Sequence, residues 1–249
     1  MKITYIGHSG FLAELPEAVL LFDYYQGTIP AFPEEKPLFV FVSHKHADHF
    51  RHSIFRLAEG RKDVTFLLSK DCRMSENFRI RKGIPREAWE QIRYLGAGEI
   101  WESHDDVFLK AETLKSTDEG VAWMVTVGGT ALYHAGDLNW WTWPGEETEE
   151  EYRDMTARFQ MEMAKLSGRH FDAAFVPLDP RQGERYDWGL NAFLEKADAS
   201  YVFPMHCWED YGVIGRYLDT PEGQKNRERI VRIERPGQEF DIREKESET

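Results

Sequence analysis

Only two cysteines occur in 249 residues, Cys72 and Cys207, which leaves neither a disulfide framework nor a cysteine-built metal cluster. Long apolar runs are missing too. The longest, such as Ala18–Phe22 and Leu38–Val42, fall far short of the roughly 20 residues a membrane-spanning helix needs. The chain opens on a strand-like pattern instead of a charged-then-apolar leader. A soluble, cytoplasmic protein with no membrane partner is expected. Positive charge is also scarce: 31 Lys and Arg face 44 Asp and Glu, a formal net charge of −13. A polyanion would be repelled at long range, so nucleic acid is not an expected partner. The densest basic group, Arg79, Arg81, Lys82 and Arg86, reads as a solvated helix-loop face. Low-complexity tracts and short repeats are absent. One domain over residues 1–249 is expected.

What is there in abundance is histidine in one place. Ser43-His44-Lys45-His46-Ala47-Asp48-His49-Phe50 puts three imidazoles and a carboxylate within six residues, directly after Leu38–Val42. An apolar run of that length behind Pro37 reads as a buried strand. His44 and His46, two apart in a still-extended chain, point to the same side, whereas Asp48 and His49 enter the following helix and point elsewhere. One pair can hold one metal ion and the other pair a second. Imidazole and carboxylate are ligands suited to zinc, and also to manganese or iron.

His-x-His-x-Asp-His after a hydrophobic strand resembles the motif of the metallo-β-lactamase superfamily. Tyr133-His134-Ala135-Gly136-Asp137 is similar to its later aspartate ligand block, and Val202-Phe203-Pro204-Met205-His206 to its C-terminal histidine block. Ile3-Thr4-Tyr5-Ile6-Gly7-His8-Ser9-Gly10-Phe11 resembles the opening of the branch containing L-ascorbate-6-phosphate lactonase-like hydrolases. The resemblance implies an α/β fold, a four-layer αββα sandwich with metals at the sheet edge. It implies the ligands His44, His46, Asp48, His49, Asp137 and His206, with one or two divalent ions and Asp48 orienting or deprotonating the nucleophile. The implied activity is hydrolysis of a small lactone, ester or phosphoester by metal-activated water. The chain departs from the pattern at Leu114–Gly120, where most members carry another histidine and this sequence has none. Either Asp118 replaces that ligand, or Ser116, Thr117 and Asp118 form a polar turn.

The remaining chain alternates strands and helices. Lys2–Gly7, Phe11–Leu15 and Ala18–Asp23 read as a meander, with His8 in its first turn, either contacting substrate or bonded to nearby backbone. Asp23 ends its strand where it can brace a ligand histidine. The loop from Gln26 to Pro37 is placed to roof the motif, and a helix is expected over Phe50–Ala58. His104-Asp105-Asp106 reads as an exposed turn. Gly128-Gly129 joins Val121–Val127 to Thr130–Ala135 in a tight hairpin. His134, opposite in facing to Asp137, suits packing or a supporting bond. Asn139 and Trp140, in a run of three tryptophans after Asp137, either wall the substrate pocket or, in the case of the indoles, cap the core. Thr148 with Glu151 forms a capping box opening a helix that runs to Gly168. Asp179 and Arg181 follow another buried strand, either contacting ligand or making a turn. Ile230–Ile233 and Glu239–Ile242 suggest a final hairpin, and the charged tail from Arg243 is expected to fray.

Two rival readings keep the same fold. A di-iron redox protein is one, although those branches usually carry Glu where this chain has His46, together with a flavin domain. A non-catalytic metal-binding or sensing protein is the other, motivated by the missing histidine. The oligomeric state is not legible in the sequence.

Overall fold

The structure is a computed structural model describing residues 1–103 and 107–242. The turn expected at 104–106 and the tail from Arg243 lie outside the described residues.

The strands of the first half are β1 (Lys2–Gly7), β2 (Gly10–Glu14), β3 (Val19–Phe22), β4 (Leu38–Val42), β5 (Val64–Ser69) and β6 (Ile92–Leu95). Then come β7 (Ile100–Ser103), β8 (Leu109–Lys115), β9 (Val121–Val127), β10 (Thr130–His134), β11 (His170–Pro177) and β12 (Asp198–Met205), with β13 (Gln238–Asp241) last. They form two sheets, ordered β13-β1-β2-β3-β4-β5-β6 and β12-β11-β10-β9-β8-β7. The apolar runs are continuous because both faces of the first sheet are covered. Leu20, Phe22, Phe39, Phe41 and Leu67 face one cluster, while Val19, Leu21, Leu38, Val40, Val42 and Leu68 face the other. This is the period of two expected of strands.

Between the sheets, Phe11 packs on Phe175 at 4.3 Å between ring centroids, and the Trp123 indole meets Phe41 edge-on at 5.4 Å. Outside the first sheet lie Ile54, Phe55 and Ala58 of a 3-10 helix over His52–Ala58, and Ala88 of α2 (Arg86–Gln91), which follows α1 (Glu76–Arg81). Outside the second sheet lie α3 (Glu149–Ala164) and α4 (Trp188–Lys196), the latter stacking Phe193 on Tyr133 at 5.1 Å. Helix, sheet, sheet and helix make the four-layer αββα sandwich. The capping box opens α3 as expected: Thr148 accepts from the Glu151 backbone N–H, and Glu151 accepts from that of Thr148.

Three expectations change. The helix expected over Phe50–Ala58 starts at His52 and is 3-10 in type. The final hairpin does not form: Ile230 bridges to Val202, and β13 pairs antiparallel with β1, Lys2 opposite Asp241. Each segment completes a different sheet edge, which offers unpaired backbone groups to any strand that reaches it. The 26–37 loop, expected to roof the motif, lays Ile29 and Phe32 against the outer cluster of the first sheet and lines neither of the clefts beside His46 and Asp137.

Within each sheet the strands that matter most run parallel: β3 with β4, and β10 with β11 and β12. Parallel strands bring their carboxyl ends to one edge, the usual place for ligands in open α/β sheets. Asp23, His44, Asp137, Asp179 and His206 all lie one to three residues beyond those ends.

Candidate metal centre

Two glycines close the edge. Gly120 has φ +72, and a β-carbon there would lie 2.0 Å from the Ser43 carbonyl oxygen; Gly136 has φ +52, with Ser43 Cβ 2.6 Å from where its own would be. The Val121 N–H donates to the Ser43 carbonyl at 2.9 Å. The second sheet thereby touches the backbone of the His-x-His-x-Asp-His segment, which only residues without a side chain permit.

Asp137 stands in the middle. Its Oδ2 is 3.5 Å from His44 Nε2, and its Oδ1 is 3.2 Å from His49 Nε2 and 3.5 Å from His206 Nε2. Two groups of potential ligand atoms, each mutually within 4.8 Å, surround it: His44, His46 and Asp137, and separately His8, Asp48, His49 and His206. The residues named by the motif are brought together, and His8 joins them. Asp118 lies 3.8 Å from His46 Nδ1, beside the first group and outside it.

The donor set fits a cation. His8 Nε2, His44 Nε2, His49 Nε2, His206 Nε2 and Asp137 Oδ1 are all buried without a hydrogen-bond partner, a costly arrangement unless something else satisfies them. The opposite ring nitrogens are engaged. His49 Nδ1–H donates to Asp23 Oδ2 at 2.8 Å, and His206 Nδ1–H to Asp179 Oδ2 at 2.9 Å. Ser43 Oγ–H donates to Asp23 and accepts from His44 Nδ1–H at 2.9 Å. Acceptors on Nδ1 present Nε2 as the ligating atom. Asp23 was legible as such a brace. Asp179 was legible only as a polar residue at a strand end, because its partner His206 lies 27 residues away.

Electrostatics follow from burial and proximity. Burial pushes Asp137 up, but the His49 and His206 imidazoles outweigh it and hold the carboxyl well below the usual range. Burial also opposes charge on His49, yet Asp137 and Asp23 raise its pKa well above the ordinary imidazole value. His44, flanked by His49, is pushed down to about 4, chiefly by burial. Asp48 is held well below the carboxylate range, mainly by His8, 3.5 Å away.

The walls differ from expectation at two positions. Asn139 is buried and donates its amide to Gln182, and Trp140 stacks on Phe159 at 5.5 Å and donates to Thr156. Both belong to the packing. Instead Trp141 and Trp143 line a cleft of about 260 Å³ with Thr117, Asp118, Asp137 and Arg181. Trp141 Nε1–H donates to the Asp137 carbonyl at 2.9 Å, which turns its ring toward His206, 5.4 Å away. Arg181 is gripped by Asp179 and lies 4.2 Å over the Trp208 ring. His134 donates to the Ser9 carbonyl and accepts from the Gly136 N–H, so it supports the turn before Asp137. On the far side of His46 a second, larger cleft of about 710 Å³ is lined by Phe50, His52, Met74 and Phe78.

This fold and edge define a metallo-β-lactamase-type sandwich. The chain belongs to the metallo-β-lactamase superfamily, with the Beta-lactamase superfamily domain matching residues 2–142. A UPF0173 metal-dependent hydrolase of Desulforamulus reducens is 28% identical over 155 residues, 55% of this chain and 62% of that protein. Another, of Cereibacter sphaeroides, is 38% identical over 85 residues, 28% of this chain and 37% of that one. The matched stretch is thus under two thirds of either relative's length. Among solved structures, Igni18, a metallo hydrolase of Ignicoccus hospitalis, superposes with a TM-score of 0.55 at 19% identity, covering 97% of this chain and 99% of that one. CmlA, a diiron β-hydroxylase of Streptomyces venezuelae, superposes at 0.52 and 13% identity, covering 82% of this chain and 44% of that one. At these identities the likeness is one of fold.

Proposed function

We propose that this chain is a metal-dependent hydrolase acting on a small lactone, carboxylic ester or phosphoester. The observation that carries this reading is the convergence of five buried, unpartnered ligand atoms on one sheet edge. His44, His46 and Asp137 would hold one divalent cation, and Asp48, His49 and His206 the other, with Asp137 between them. Zinc suits the imidazole-rich set, and manganese or iron is compatible with it. When bound, such ions supply Lewis acidity: a polarised scissile oxygen and a water acidic enough to act as nucleophile near pH ~7.

The chain's own residues do the rest. Asp23 and Asp179 fix the ring orientations of His49 and His206. Asp48 is ionised and one-third exposed, so it can accept a proton or a hydrogen bond from the attacking water. Trp141 and Trp143 shed water from the cleft, which strengthens every charge interaction inside it. Arg181 places a cation on the same wall, favouring a substrate with an anionic or strongly polar group. The similarity of residues 3–11 to the lactonase-like branch makes sugar-acid lactones and their phosphate esters the first compounds to try.

Elemental analysis of purified protein, combined with a hydrolysis panel, tests the reading. His49→Ala and Asp137→Ala are expected to lose both bound metal and turnover. Full turnover in a variant stripped of metal would overturn it.

A further inference from the structure

We propose that His8 is a metal ligand, completing with Asp48, His49 and His206 a three-imidazole, one-carboxylate site for a zinc-like divalent cation. This rests on the metal reading above and assigns a residue that the motif does not contain. The His8 ring centroid lies 4.1 Å from that of His206 and 5.4 Å from that of His49, and its Nε2 is 3.5 Å from Asp48 Oδ2. That Nε2 is buried, and at 3.5 Å the Asp48 carboxylate is a charged neighbour and not a well-made hydrogen-bond partner; His49 Nε2 and His206 Nε2 likewise lack one. A substrate contact would need an open face, and the His8 side chain is only 4% exposed. Trp208 closes one side at 4.8 Å and Tyr25 another at 5.9 Å.

The backbone carries a second, independent indication. His8 sits at φ +53 in the turn closed by Gly7 and Gly10, a position where Asn or Gly is locally preferred. His206 is at φ +63, and its N–H donates to the His8 carbonyl at 3.2 Å. Two histidines in a disfavoured conformation, tied backbone to backbone, turn their rings toward one point. Strain of this kind persists where surrounding structure imposes it, and it clusters at functional sites.

The two metal positions are then unequal. His8 gives the second position three imidazoles, whereas the first has His44, the half-exposed His46 and a shared Asp137. The histidine missing near Asp118 weakens one position, and His8 strengthens the other. One ion should be retained through chelator dialysis and the other lost.

Cobalt(II) titration of metal-free protein separates these claims through visible absorption and competition with a chromophoric chelator. Wild type should show a tight and a weak equivalent. In His8→Asn, which suits the turn, the tight class should weaken by at least about a hundredfold, the upper end for losing even a ligand's supporting partner. Its band should shift, while the metal-free protein melts no lower than wild type. His8→Gly should regain the wild-type band on adding imidazole, a rescue that a merely structural role would not give. His44→Gln should lose the weak class alone. An unchanged tight class and spectrum in His8→Asn would overturn the assignment while leaving the hydrolase reading intact. A wild type that takes up no cobalt would overturn both.

Discussion

Replacing Asp23 by Asn probes the support beneath the centre without touching a ligand. Asp23 is fully buried; its Oδ1 accepts from the Ser43 N–H at 2.7 Å, and its Oδ2 from His49 Nδ1–H at 2.8 Å and Ser43 Oγ–H at 2.5 Å. Asn is isosteric and readily adopts the φ of +40 found there, so the backbone is spared. What goes is the charge and one acceptor. An amide N–H then faces the His49 ring, removing a charge-assisted hydrogen bond worth about 1.5–3 kcal/mol. Loss of such a partner lowers metal affinity about 10–100-fold, which at 1.4 kcal/mol per decade is about 1.4–2.8 kcal/mol. The two figures agree because the same bond orients the ring and raises its basicity. Zinc competition with a chromophoric chelator reads the affinity, and urea denaturation of metal-free protein reads the stability. An affinity within twofold of wild type would refute the idea that Asp23 prepares His49 for a cation.

Metal uptake should release protons. In the metal-free protein Asp137 and Asp23 raise the His49 pKa, so a proton competes with a cation for this ring. Affinity should therefore rise with pH until His49 deprotonates unaided, and calorimetry in buffers of different ionisation enthalpy should register about one proton per ion at this histidine; a pH-independent affinity between pH 6 and 8 (roughly the range where metal-binding histidines matter) would count against it. Gly120→Ala, whose new methyl would press on the Ser43 carbonyl at φ +72, should cost about 2–5 kcal/mol by urea denaturation from strain and overpacking together, and an unchanged midpoint would show that the sheets do not need this contact. Trp141→Leu should raise KM for any substrate the panel reveals, whereas Trp140→Leu should lower the melting temperature with KM unaltered; the reverse assignment would mean that the cleft is walled by the other indole.

Local pattern was enough for much of this protein. The buried strand at Leu38–Val42, the Gly128-Gly129 hairpin and the Thr148–Glu151 capping box are set by neighbours in the chain, and each is found where the pattern puts it. Four candidate ligands were readable for the same reason, since His44 to His49 span six residues. Distance along the chain is what hid the rest. His8 reads as a turn residue until β12 brings His206 beside it, and Asp179 reads as a strand-end polar group until it accepts that histidine's Nδ1–H. Neighbouring indoles at 140 and 141 divide between core and cleft because one meets Phe159 and the other the Asp137 carbonyl. The segment at 230–242 carries hairpin signals, yet two open sheet edges outcompete its own pairing. Composition and spacing determine which groups can ligate, cap or pair; which of them do is decided by the packing of two sheets, because a ligand atom counts only when it stands within a few ångströms of its partners.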